Sequence, residues 1–274
     1  MYQKNITEQL FFTTVRIECV YKDGQTGQGT GFLYSYDHDN KHVVFVVTNK
    51  HVVINAAELN LTFLKHDNME PILGEKIEYK LSDNLEHFYF GHPDSTIDVA
   101  IFPMGPIINN KTLEDLKPFL MCIDKNITIS PEQIKDSSSI ESIIFVGYPK
   151  GIWDSKNYLP VVRRGITASP IGIDYEGKPC FLIDASVFGG SSGSPVFIYD
   201  QNIFMSQGKL LFGSRVVFIG IVASTYTMKE LIELKKVSNQ KEVIEHNETL
   251  DLGVVFKART IIETIEAYLE RFPC

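Results

Sequence analysis

Phe188-Gly189-Gly190-Ser191-Ser192-Gly193-Ser194-Pro195 places three glycines and three serines in eight residues, between two apolar, strand-like runs. Glycine permits a backbone turn with φ > 0 and lets its own N–H approach a ligand closely. A tight turn that exposes a hydroxyl and aims backbone N–H groups at one point is what acyl transfer requires. An ordinary Gly/Ser hairpin loop would have the same composition. Two further stretches separate these readings: Val46-Val47-Thr48-Asn49-Lys50-His51 and Thr96-Ile97-Asp98-Val99-Ala100.

Each supplies a side chain suited to the same chemistry. Histidine can take and return a proton near neutral pH, which makes His51 the candidate general base. His38, His42, His66, His87, His92 and His246 lack its surrounding motif. Asp98, ahead of the apolar Val99-Ala100-Ile101, would hold the His51 tautomer and stabilise the imidazolium; Asp94 is its nearest rival. Ser192 is the candidate nucleophile. The order is His, Asp, Ser, with 47 residues from His51 to Asp98 and 94 from Asp98 to Ser192.

In this order and spacing the sequence resembles the trypsin-like serine proteases, and in detail their HtrA/Deg branch. Gly29-Thr30-Gly31-Phe32 and the run to His51 are similar to that branch's G-S/T-G-F/V…TN-x-HVV. Val146-Gly147-Tyr148-Pro149-Lys150-Gly151 resembles its IGNPxG, and the run from Asp184-Ala185 to Pro195 resembles its TDA…PGNSGGP. The likeness spans residues 12 to 270. It implies an all-β fold of two six-stranded antiparallel β-barrels with a C-terminal helix. That would be one unit over 1–274: a first barrel over 8–104 with His51 and Asp98, a connection over 105–140, and a second barrel with Ser192 over 141–274.

The activity implied is that of a serine endopeptidase working through an acyl-enzyme, without metal or organic cofactor. The N–H groups of Gly190 and Ser192 would form the oxyanion hole. The pocket for the side chain before the scissile bond would come from Ser186, Val187, Ile221, Val222, Ala223 and Ser224. Ser186 is neutral where trypsin carries an acidic residue, so a shallow apolar slot is expected, with Asp184 the nearest carboxylate in sequence. Two departures stand out. Ser194 replaces the second glycine of the family's SGGP. Ser191 occupies the place of the aspartate that pairs with a new N-terminus in secreted digestive relatives, so something else must order the hole. With the chain ending at Cys274, the PDZ domain that follows many HtrA proteases is not expected. Relatives are often trimers, which leaves room for a homo-oligomer or a regulatory protein partner.

Two rival readings remain. Gly189-x-Ser191-x-Gly193 literally matches the nucleophile elbow of α/β-hydrolases, with Asp200 and His246 to complete it. That elbow demands a helix after the serine, whereas Pro195-Val196-Phe197-Ile198-Tyr199 reads as a strand. The other rival is a catalytically silent trypsin-like scaffold that only binds, against which stands the presence of all three triad side chains.

Composition narrows the rest. The chain has 274 residues, 44% hydrophobic and 22% charged, in the range of an ordered globular protein. A net charge of −8 without a basic run argues against nucleic acid as a partner. Cys19, Cys122, Cys180 and Cys274 are scattered, there is no metal-ligand spacing, and no signal pattern opens the chain. No apolar run reaches 18 residues, so no membrane partner is expected and a reducing cytoplasm is the expected location. Alternating residues such as Val15, Ile17, Cys19 and Tyr21 read as half-buried strands throughout. Two helices are expected late: one led by a Thr227/Glu230 capping box with Leu231, Ile232 and Leu234 on its apolar side, and a closing one led by Thr260 and Glu263 with Ile261, Ile265, Tyr268, Leu269 and Phe272 on one face. A further helix is expected over Leu113 to Met121.

Overall fold

The computed structural model describes residues 5–82, 84–105, 118–206, 208–234 and 242–272. In the first half the expected alternation becomes strands β1 (Thr14–Tyr21), β2 (Thr26–His38), β3 (Lys41–Thr48), β4 (Ala56–Asp67), β5 (Glu70–Leu81), β6 (Phe90–Gly91) and β7 (Ala100–Pro103). Val15, Ile17 and Cys19 are buried at every second place of β1. Asp39 and Asn40, both with φ > 0, make the two-residue hairpin from β2 to β3, a backbone twist that matches the strands it joins.

These strands lie in the order β5-β4-β1-β2-β3-β7-β6. The sheet is open, where a closed six-stranded barrel was expected. β6 is two residues long and pairs only as Phe90↔Ile101 and Gly91↔Ala100, too short a ladder for the far edge strand to close upon. The chain just ahead of β6 is a 3-10 turn, Leu85–His87, rather than more strand.

The second half does close. Strands β8 (Ser142–Gly147), β9 (Val161–Thr167), β10 (Cys180–Asp184), β11 (Pro195–Asp200), β14 (Arg215–Leu234) and β15 (Glu242–Lys257) form a barrel in the order β10-β15-β14-β11-β8-β9. A hairpin of β12 (Ile203–Ser206) and β13 (Lys209–Phe212) leaves it between β11 and β14. The helix expected from Thr227 is absent: β14 runs unbroken to Leu234 and pairs with β15 as far as Leu234↔Glu242. An eight-residue helix is marginal alone, whereas a ladder already begun at Gly220↔Lys257 extends without a new nucleus. The helix expected over Leu113 to Met121 lies mostly outside the described residues.

The closing helix is present as Ala258–Arg271, with its cap at Lys257, three residues earlier than expected. Thr260 does not cap it; its hydroxyl donates back to the Lys257 carbonyl at 2.9 Å, from within the first turn. Ile261, Ile265 and Leu269 are buried, while Phe272 is half-exposed. Their face packs into a core shared by both halves, with Phe32, Phe45 and Val47 from one and Val146, Phe197 and Phe218 from the other. Tyr268 meets Phe45 and Phe90 edge-on, at centroid distances of 5.7 and 5.8 Å, and so covers the short β6 end of the sheet. Separate clusters fill each half: Val15, Ile17 and Leu61 in the first, Phe145, Phe181 and Val255 in the second.

Phe218 is the hub of the shared core, with ring centroids 5.3 Å from Phe32, 6.2 Å from Tyr34 and 5.6 Å from Phe197. Truncation leaves a cavity at the junction of the halves. Phe218→Ala should cost about 3–5 kcal/mol in urea unfolding. A cost below about 1 kcal/mol would show that the junction is not where the fold is held.

Candidate active site

His51 is the second residue of a single helical turn, Lys50–Val53, that follows β3. Val52 and Val53 are buried and fix the turn against the first-half core, leaving the imidazole half-exposed. Asp98 sits between buried Ile97 and Val99 on the loop entering β7. Its two carboxylate oxygens take two groups of the same histidine: the His51 backbone N–H at 3.0 Å and ring Nδ1 at 2.5 Å. Asn49 Nδ2 donates to the Asp98 carbonyl at 2.6 Å. An Nδ1–H held by a carboxylate leaves Nε2 free as the proton acceptor. The rival Asp94 is spent locally, its Oδ1 accepting the Thr96 N–H and hydroxyl, both at 2.8 Å.

Ser192 stands half-buried on the turn into β11. Its hydroxyl donates to the Ala223 carbonyl of β14 at 3.1 Å. Ala223 and Ser224 line a cleft of about 340 Å³ together with Asp98, Thr96 and Tyr175, so the acceptor of the Ser192 hydroxyl and Asp98 border one cleft. Ser191 is buried, with its oxygen accepting the Phe188 N–H at 3.4 Å. A strand follows the turn, contrary to what a nucleophile elbow needs.

The turn is fixed peptide by peptide. The Gly189 carbonyl accepts the Lys150 N–H at 2.6 Å, and the Ser191 carbonyl accepts the Ser194 N–H at 3.0 Å. A trans peptide points its N–H away from its C=O, so the N–H groups of Gly190 and Ser192 are directed away from these bonds. Neither donates to any group among the described residues. Gly190 has φ +86°, and a Cβ there would lie 2.6 Å from the Tyr148 carbonyl. Gly193 has φ +88°, and its Cβ would lie 1.7 Å from the Thr30 carbonyl. Both positions exclude side chains by space as well as by φ.

Thr30 was quoted in the sequence without a role, yet it ties this turn to the first half. Its N–H donates to the Ser192 carbonyl at 2.9 Å and its hydroxyl to the Gly190 carbonyl at 2.9 Å. The same hydroxyl accepts the Tyr148 N–H at 3.1 Å. Lys150, also unassigned, holds left-handed backbone at φ +49°, a conformation that costs a non-glycine residue and aims its N–H at Gly189.

The six pocket candidates do not share one wall. Val187 and Val222 point into the second-barrel core with Ile183 and Val255. Ile221 and Ala223 belong to the core shared with the first half, as strand alternation requires. Ala223 and Ser224 border the cleft described above, and Ser186 is half-buried beside exposed Asp184. Val187 occupies the space over Gly253, where a Cβ would lie 2.7 Å from its Cγ2.

Three comparisons bear on kinship. Among solved structures, the inactivated protease paralogue S-I1 of the scabies mite superposes with a TM-score of 0.51 at 13% identity, covering 96% of both chains. The Rv3671c protease of M. tuberculosis in its active form gives 0.47 at 14% identity, over 97% of this chain and 84% of that one. The serine endoprotease of Yersinia pestis gives 0.47 at 16% identity, over 97% and 67%. No curated protein matches the chain. The family described as the trypsin-like peptidase domain matches residues 29–203, well over half of the sequence, and the chain belongs to that family.

Proposed function

We propose that the protein is a serine endopeptidase acting as a single unit across both halves, with Ser192 as nucleophile, His51 as general base and Asp98 as its orienting partner. The observation that carries this reading is the double grip of Asp98 on the ring and the backbone of His51. Nothing in a passive scaffold calls for a half-exposed imidazole fixed in one tautomer.

The reaction would begin with Ser192 leaving Ala223. A substrate strand laid along β14 offers a backbone N–H to the Ala223 carbonyl, which frees the hydroxyl to turn toward Nε2 of His51. Oγ then attacks the scissile carbonyl while Nε2 takes its proton. The carbonyl oxygen, now negative, is received by the N–H groups of Gly190 and Ser192. His51 passes its proton to the departing amine, and water, deprotonated by the same ring, releases the acyl group. The Lys150–Gly189 bond supplies the ordering of the hole that Ser191 cannot. The HtrA-like detail of the sequence and the free thiols of Cys19, Cys122 and Cys180 support an HtrA-related enzyme of a reducing compartment, with polypeptides as substrates.

The Ser192–Ala223 bond also favours a second reading, a silent binding scaffold whose serine stays turned away. Labelling with a fluorophosphonate separates the two. The wild type should label, Ser192→Ala should not, and Ser191→Ala should still do so. Asp98→Asn should lower peptide turnover by about 10³–10⁴-fold. An unlabelled, folded wild type that still binds peptides would establish the scaffold instead.

Thr30→Val offers a test of the turn's anchoring. It keeps the shape but removes the hydroxyl that serves Gly190 and Tyr148. A buried carbonyl and a buried N–H lose their partner, at about 1–3 kcal/mol. Turnover should fall by about tenfold or more with KM little changed, since the loss falls on the hole. Unaltered kcat would show that Thr30 has no part in placing the turn.

A further inference from the structure

Two cations flank the serine turn without a carboxylate partner. The Lys150 ammonium lies 4.7 Å from the ring centroid of Phe188, and the Arg163 guanidinium, from β9, lies 5.3 Å from the same centroid. Phe188 is two residues before Gly190, and its neighbour Gly189 takes the Lys150 N–H. Lys150 is exposed and Arg163 half-buried, whereas the more deeply set Arg16, Arg215 and Lys257 pair with Glu18, with Glu141 and Asp200, and with Asp174. No described carboxylate lies in ion-pair range of Lys150 or Arg163, in a chain whose net charge is −8.

A ring face attracts a cation without cancelling its charge. Phe188 therefore holds two positive charges beside the turn and leaves them uncancelled. The bond from the Lys150 N–H to the Gly189 carbonyl, at 2.6 Å, keeps its backbone next to the turn. A bound basic side chain would be repelled here, and a neutral one would gain nothing from either charge. An acidic one would meet two hydrogen-bonding cations already held in place.

Resting on the peptidase reading, we propose that Lys150 and Arg163 form an anion-binding subsite that selects substrates with an Asp or Glu side chain within three residues of the scissile bond. The two residues set specificity.

The test uses matched peptides that differ only by Glu against Gln, scanned over the three positions on each side of the bond. At one position or more, kcat/KM should favour Glu by about tenfold at low salt, the size expected of two half-exposed ion pairs, and the ratio should shrink as salt is raised. In the double variant Lys150→Asn/Arg163→Gln, with asparagine chosen because it tolerates left-handed backbone, the ratio should fall to within about twofold of one. Arg163→Glu should turn the preference toward Lys. A ratio near one at all six positions, or a ratio that survives in the folded double variant, would overturn the subsite while fluorophosphonate labelling of Ser192 left the peptidase reading intact. Absence of both labelling and cleavage would overturn the peptidase reading and the subsite with it.

Discussion

Thr30 is the point at which hydrogen bonds tie the two halves together. It is fully buried on β2, yet three of its hydrogen bonds reach Gly190, Ser192 and Tyr148 in the second half. A fourth, from the Thr48 hydroxyl to its carbonyl at 2.8 Å, ties it to the end of the strand that leads to His51. The proposed base and the proposed nucleophile come from different halves, and misplacement by an ångström is enough to lose most of a rate. The aromatic core around Phe218 supplies adhesion between the halves, but apolar contact is non-directional. Direction comes from Thr30.

This division explains why parts of the molecule could be read from sequence and others could not. Strands such as β1 announce themselves by alternation, because one face is buried and the other is not. The His51 and Asp98 motifs are short and local, and the structure brings them together as expected. Thr30 is different. Its hydroxyl and carbonyl partners lie 18, 118 and 160 residues away, and no local pattern marks such a residue. Lys150 was equally silent, since its contribution is a backbone N–H, which every residue but proline has.

The misreadings share a cause as well. Thr227 with Glu230 and Thr260 with Glu263 both match the pattern of a helix start, and neither is one. In the first case β15 supplies a pairing partner that overrides local preference, and in the second the helix had already begun at Ala258. The open first sheet was also beyond reach, because closure depends on how far β6 extends, and two residues decide it. Among the pocket candidates, alternation along the strand sends Ile221 and Val222 to different cores.

Ser194, the departure from the family's second glycine, is fully buried, and its hydroxyl has no hydrogen-bond partner among the described residues. It fits because Gly147 faces it: a Cβ on Gly147 would lie 2.1 Å from the Ser194 oxygen. The two positions, 47 residues apart, fill one space with one side chain between them. A side chain at 147 would also lie 2.6 Å from the Thr30 hydroxyl, so the bare strand position behind the turn makes room at once for the serine at 194 and for the hydroxyl that anchors the turn bearing Ser192.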